Sequence, residues 1–156
     1  REDIVKVDDM GANNRTALQR ACGAGHVACV EFLLRHGADV NHRDGAKRSA
    51  LHWACIAGHT EVVATLMNFP GVHVDFTAAT ESGATALHMA VAAKKPDLIP
   101  LLVTRCRAAA AVVSGTDGLE DTEEAAMARL DAMFKAVNKD GQTAWDMAVT
   151  AKDKVG

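Results

Sequence analysis

Two pairs of residues in this chain have a spacing at which metal ligands occur: Cys22 with His26, and Cys55 with His59. A thiolate and an imidazole are ordinary zinc ligands, and four such donors converging within ~2.0–2.3 Å of one ion would make a structural site. The same thiols could instead answer an oxidant. A zinc- or redox-responsive protein built on Cys22, His26, Cys55 and His59 is therefore one reading. Against it, both cysteines fall where a small apolar residue would pack, and the pairs recur because a longer stretch recurs. His52 and His88 are the other histidines in recurring positions. Catalysis would need a nucleophile, a base and an orienting group gathered in a cleft. The sequence proposes no such set, and no phosphate-binding glycine loop, HExxH or GxSxG is present. We therefore expect no enzymatic activity, no catalytic residue, no metal and no cofactor. Cys29 and Cys106 read as buried or half-buried small hydrophobes. Four cysteines without a dense framework favour a reducing cytoplasmic or nuclear setting.

Stepping from those pairs to the chain that carries them, self-comparison finds a repeat. RTALQRACGAGH, from Arg15, lines up with RSALHWACIAGH, from Arg48, at an offset of 33 residues. ATALHMAVAAKK, from Ala84, is a third copy and QTAWDMAV, from Gln142, a truncated fourth. The later offsets are 36 (Ser49 to Thr85) and 58 (Thr85 to Thr143), so those spacers carry about 3 and 25 residues beyond a repeat of ~33.

Each copy can be read physically. Thr16, Ser49, Thr85 and Thr143 stand where a hydroxyl caps a helix. Leu18, Ala21 and Cys22 then form one apolar stripe, repeated by Leu51, Ala54 and Cys55 and by Leu87, Ala90 and Val91. Gly25 and Gly58 suit the left-handed residue that ends a helix. A second helix follows, with Val30, Leu33 and Leu34 in one copy and Val63, Leu66 and Met67 in the next, closed by Gly37 and Gly71. Ala38 to Asn41 and Val74-Asp75 lead into extended turns.

On these residues the chain resembles the ankyrin repeat. GHVACVEFLLRHGADVN, from Gly25, is close to that family's consensus, and TALHMA nearly matches TPLHxA. The resemblance covers most of 4–106 and returns at 134–151. It implies an all-α solenoid of stacked helix-turn-helix units with short hairpin fingers, forming a single domain over 1–156. The repeats are placed at about 11–43, 44–79, 80–107 and 138–156. Residues 1–10 read as the tail of a preceding repeat, and the absence of an initial Met suggests an excerpt of a longer chain. The resemblance also implies that His52 and His88 hydrogen-bond to turn backbone and tie neighbouring repeats together.

The third copy departs from its family. It has Lys94-Lys95 in place of Gly-His, then Pro96 and Pro100. Pro96 is tolerated at a first helical turn, whereas Pro100 is expected to delay or bend the start of a long helix from Leu98 to Val113. Residues 108–137 are an insertion: an acidic loop from Ser114, then an amphipathic helix capped by Asp121 and Glu124 and carrying Met127, Leu130, Phe134 and Val137. It either packs on the stack or adds a binding surface. Trp145 is expected at a buried leucine position.

Composition limits the rest. With 49% hydrophobic residues and 24% charged, the chain is a folded domain rather than a disordered one. Aromatics are 4%, so the core must be built of Ala, Val and Leu. A net charge of −3, with no aromatics interleaved among the arginines, disfavours nucleic acid. No apolar run reaches the roughly 18 residues of a membrane span.

The expected function is binding another protein or peptide through the concave face that a stack of repeats leaves open. Carried over position by position, the resemblance implies Asn13 and Arg15 from the first copy, Arg43, Ala46, Arg48 and Ile56 from the second, and Glu81, Ser82 and Ala93 from the third. Lys47 replaces a consensus glycine in the same turn. Trp53 either packs between repeats or is a contact residue. Arg15, Arg43, Lys47 and Arg48 make a basic patch suited to an acidic partner, unless they are ordinary solvated turn charges. No small-molecule substrate is expected, and the chain is expected to be monomeric. An alternative role is a substrate-recruiting or regulatory domain of a larger enzyme.

Overall fold

A computed structural model describes residues 7–75, 78–112, 131 and 134–153; for 106–112 and 151–153 it describes the backbone alone. The chain divides into two compact units, Arg1–Asp75 and Phe76–Gly156. The first holds a 3-10 turn at Ala12–Asn14 and four helices: α1 (Ala17–Ala24), α2 (Val27–Arg35), α3 (Ala50–Ala57) and α4 (Thr60–Asn68). The second holds α5 (Ala86–Ala92), α6 (Leu98–Val112) and α7 (Ala144–Asp153). No strand forms among the described residues.

Helices α1, α3, α5 and α7 begin in the same way. Thr16, Ser49 and Thr85 close capping boxes with the third helical residue, which is Gln19, His52 and His88 in turn. The Thr16 N–H donates to Gln19 Oε1 at 3.0 Å, and the Ser49 and Thr85 N–H groups donate to histidine Nδ1 at 3.1 Å. Before α7 the Thr143 N–H and hydroxyl both donate to Asp146 Oδ2, at 2.9 and 2.8 Å. Those two bonds, the backbone one first, hold the Asp146 carboxyl below its ordinary pKa. This cap therefore strengthens folding above the unfolded carboxylate range and is lost as pH falls through the folded value.

The stops differ more than the starts. Gly25 and Gly58 end α1 and α3 in the left-handed region, at φ 79° and 73°. A Cβ on Gly25 would also lie 2.7–2.9 Å from the His59 ring, so this glycine is needed for close approach as well. In the third copy Lys94 takes the left-handed position, at φ 56°. Gly37, at φ 81°, follows α2 and lets the Ala38 N–H reach back to Leu33 O at 3.0 Å. Gly71 does not cap α4 as the sequence suggested. Phe69 already leaves the helix at ψ 126°, as a residue before proline must, and Gly71 sits in the Phe69–Val72 turn. Pro100 does not delay α6, because the helix begins at Leu98 and its first-turn N–H groups have no helical partner anyway.

In the first unit α1 packs on α3 and α2 on α4, while each second helix covers its own first helix. Leu18, Cys22, Leu51, Ala54, Cys55, Val62 and Leu66 are fully enclosed there. In the second unit α5 packs on α6 and α7, enclosing Leu87, Ala90, Leu98 and Leu102.

Two expectations fail at the far end. Trp145 is 73% exposed, and Ala144 beside it is the buried residue. Leu18, Leu51 and Leu87, its counterparts, lie in units where a second helix covers the first; among the described residues none follows α7. Val137 is exposed and lies past the helical turn of Phe134 and Lys135, not on it. Met127, Leu130 and the Asp121–Glu124 cap lie outside the described residues.

Gln19 connects the two repeats of the first unit. Its amide nitrogen, in a side chain 1% exposed, donates to His42 O at 3.0 Å and Arg48 O at 2.7 Å. Gln19→Ala would orphan the His42 carbonyl and the Thr16 N–H and would leave Arg48 O with the Asp44 N–H alone, so it should cost about 2–3 kcal/mol in urea denaturation. Gln19→His, which restores a cap and one donor, should cost less than half as much; equal losses would show that the bonds carry little.

Candidate partner-binding site

The helices position four five-residue turns, the fingers, each ending just before a capping hydroxyl: 11–15, 44–48, 80–84 and 138–142. In each, the first N–H donates to the fifth carbonyl: Gly11 to Arg15 at 2.8 Å, Asp44 to Arg48 at 3.0 Å, Thr80 to Ala84 at 2.8 Å and Asn138 to Gln142 at 2.9 Å. The fourth residue is left-handed every time: Asn14 at φ 57°, Lys47 at 59°, Gly83 at 76° and Gly141 at 73°.

Neighbouring fingers are joined by backbone. Gly45 N–H donates to Asn13 O at 2.8 Å in the first unit, and Lys139 N–H to Ser82 O at 2.7 Å in the second. His88 Nε2 adds a bond to Gln142 O at 3.1 Å, the inter-repeat role that the resemblance implied for it. Its Nδ1 accepts the Thr85 N–H, so the neutral ring carries its proton on Nε2.

The first unit brings three of the sequence-derived site residues together. Arg15 Cζ lies 4.0 Å from the centroid of the Trp53 ring, and Arg48 Cζ lies 5.1 Å from it. Both are cation–π distances. The indole N–H donates to Asp44 Oδ2 at 3.0 Å, and Arg15 Nε stands 4.0 Å from the same oxygen. Asp44 is buried, and its other oxygen accepts the N–H groups of Ala46 and Arg48 at 2.9 and 2.8 Å. One carboxylate thus shapes the finger and fixes the tryptophan on which two arginines rest.

Asp44 was missed in the sequence, although an Asp or Asn opening a turn is a signal for such side-chain closure. Asn138 closes the fourth finger in the same way, accepting from Asp140 and Gln142 at 3.0 Å each.

The other predicted residues do not join this cluster. Arg43 is exposed and its Nε donates to Lys47 O at 3.2 Å. Asn13 and Lys47 are exposed in the turns, Ala46 is half-buried, and Ile56 is exposed one helical turn beyond Trp53. Glu81, Ser82 and Ala93 belong to the second unit. Glu81 is exposed and Ala93 half-buried, while the Ser82 hydroxyl is 2.9 Å from that of Thr80. Ser82 also lines a groove of about 220 Å³ with apolar Met89, Ala92 and Met147 and polar Lys139 and Asp140. Of those six residues the sequence reading named only Ser82, because the groove exists only once α7 has docked on α5.

The Cys/His pairs do not converge. Cys22 and Cys55 are fully buried, and burial pushes each thiol up to about 12, the opposite of a poised thiolate. His26 is exposed, and the His59 ring lies against Gly25. Among the described residues no group of three or more His, Cys, Asp or Glu could hold a metal ion. The Cys106 side chain lies outside them.

A family model described as ankyrin repeats (many copies) matches residues 18–67 and 51–103. The 26S proteasome non-ATPase regulatory subunit 10 of Rattus norvegicus is 56% identical over 34 residues, and its Homo sapiens and Mus musculus counterparts match equally. That stretch is 22% of this chain and only 15% of each relative.

Two outcomes follow from the geometry. In native protein a thiol reagent should modify exposed Cys29 but reach Cys22 and Cys55 only on unfolding; prompt labelling of either would contradict their burial. Lys47→Gly should raise stability by about 0.5–1 kcal/mol, since glycine relieves a left-handed non-glycine residue at some cost in unfolded-state entropy. An unchanged or lower urea midpoint would show no strain there.

Proposed function

The chain belongs to the ankyrin-repeat family, and we propose that it holds its partner protein on the fingers and on the outward residues of the helices that follow them. It is a protein-interaction module. The observation that carries the finer reading is the convergence of Arg15, Arg48 and Trp53. Arginine and tryptophan are the residues most enriched among interface hot spots. Here Asp44 fixes the tryptophan ring against which both guanidiniums lie, which limits the side-chain freedom lost on binding.

The partner is a protein or peptide with an acidic face. Arg15, Arg43, Lys47 and Arg48 supply a local positive charge in a chain whose net charge is −3, which guides an acidic surface to these turns without attracting nucleic acid generally. Taken by itself, the second unit presents Glu81 and Ser82 on its first finger, and its methionine-lined groove suits an apolar side chain. The chain acts as a monomer, takes no small-molecule substrate and uses no cofactor.

Among the described residues no helix is long and apolar enough to cross a membrane. The free thiols of Cys22, Cys29 and Cys55 support a cytoplasmic or nuclear place of action. A relative named as a regulatory, non-ATPase subunit supports binding rather than catalysis as the role.

The test is affinity capture with the wild-type chain, with Arg15→Gln/Arg48→Gln, and with Glu61→Gln, at an exposed position of α4, as a control. Partners recovered by wild type and by the control should fall at least tenfold with the arginine pair, while circular dichroism stays unchanged. Full recovery by the arginine pair would sink the proposed site.

A further inference from the structure

We infer that the acidic group received between Arg15 and Arg48 is a phosphoryl group on a serine, threonine or tyrosine of the partner protein. This deepens the proposed function and rests on it. Three features distinguish a phosphoryl group from a carboxylate.

The first is unused donor capacity. The Arg48 guanidinium makes no hydrogen bond or ion pair among the described residues beyond its contact with the Trp53 ring. Arg15 Nε is buried and lacks a hydrogen-bond partner, Asp44 Oδ2 standing 4.0 Å away, so only the outer nitrogens of this partly exposed side chain are left for a ligand. Asp44 is already occupied by the Ala46 and Arg48 N–H groups and by the indole. It therefore leaves most of the arginines' donors available.

The second is charge. Asp44 stands 4.0 Å from Arg15 Nε, and the Arg48 guanidinium has no acidic partner among the described residues. A phosphorylated side chain brings about −1.5 to −2 at pH 7, against −1 for a glutamate, so it neutralises more of the arginines' charge.

The third is geometry. The two guanidiniums come from different fingers, and their Cζ atoms lie 4.0 and 5.1 Å from the centroid of one ring. A carboxylate has two coplanar oxygens and satisfies one guanidinium fork. A phosphoryl group has three acceptor oxygens spread around phosphorus and can meet two forks arriving from different directions. Because Trp53 holds both cations in place, the site is arranged before the ligand arrives.

Trp53 also supplies the readout. The chain has two tryptophans, and Trp145→Phe, at an exposed position in the other unit, leaves Trp53 as the sole indole emitter. Its fluorescence is titrated with a short phosphoserine peptide, with its glutamate and unmodified serine counterparts, and with inorganic phosphate. The expected result is a saturable change with the phosphopeptide at least tenfold tighter than with the glutamate peptide, and none with serine. Affinity should weaken as pH falls through ~6, where the phosphate takes up its second proton. Arg15→Gln and Arg48→Gln should each lower it tenfold or more. Arg15→Lys and Arg48→Lys, which keep the charge but lose the fork, should not restore it; circular dichroism and the urea midpoint confirm that each variant folds. Equal affinity for glutamate and phosphoserine would overturn the phosphoryl assignment while leaving an acidic partner in place. No saturable response to any peptide would overturn it too, and partner capture by the arginine pair separately decides whether the site binds protein at all.

Discussion

The arrangement of the first unit depends on one buried amide. Gln19 is enclosed between two repeats, and burying its polar atoms would be costly unless all were paired. Oε1 caps its own helix at Thr16, while Nε2 donates to His42 O and Arg48 O on the next finger. The same side chain thus starts α1 and sets where the second finger ends. Since Arg48 is the residue whose carbonyl is held, the arginine reaches Trp53 from a fixed backbone. His88 links Thr85 to Gln142 in the same manner in the second unit, across 54 positions of sequence.

That bond explains why a long insertion leaves the repeat intact. Fingers three and four are joined by Lys139 N–H to Ser82 O, just as fingers one and two are joined by Gly45 N–H to Asn13 O. What the chain does between α6 and Asn138 does not alter the pairing, because the finger recognises its neighbour's backbone and not its distance along the sequence. The entropy of closing a longer loop grows only logarithmically, so about 25 extra residues weigh less than one or two such bonds.

The helices were legible because their signals are local. A hydroxyl, a stripe at i, i+3 and i+4, and a glycine after the last turn lie within a dozen residues, and Thr16 to Gly25 and Ser49 to Gly58 form as those signals direct. Where the reading failed, a neighbour decided. Gly71 has the composition of a cap, but Pro70 had already forced Phe69 out of the helix. Trp145 occupies a leucine position in the alignment, yet burial there belongs to whatever covers the helix and not to the residue's own place in the repeat. The site was legible only as a set of exposed turn positions. That Arg15 and Arg48 meet over one indole needs α1 and α3 to be packed side by side. Asp44 carries no mark of burial in the sequence, because the three donors that make its burial tolerable meet it only in the folded finger.

Lys47 shows what the finger retains at the expense of stability. Its position is left-handed in every finger, and the third and fourth fill it with glycine while the first uses Asn14, the side chain that tolerates this region best. A lysine gains nothing locally from φ 59°, and its backbone does no more than a glycine's would: the Lys47 N–H closes on Asp44 O at 2.9 Å and its carbonyl accepts from Arg43. What lysine alone adds is an exposed positive charge next to Arg48. Strain held at one turn and absent from its two glycine-bearing equivalents supports a role for that charge outside the fold, in the same finger whose arginine faces Trp53.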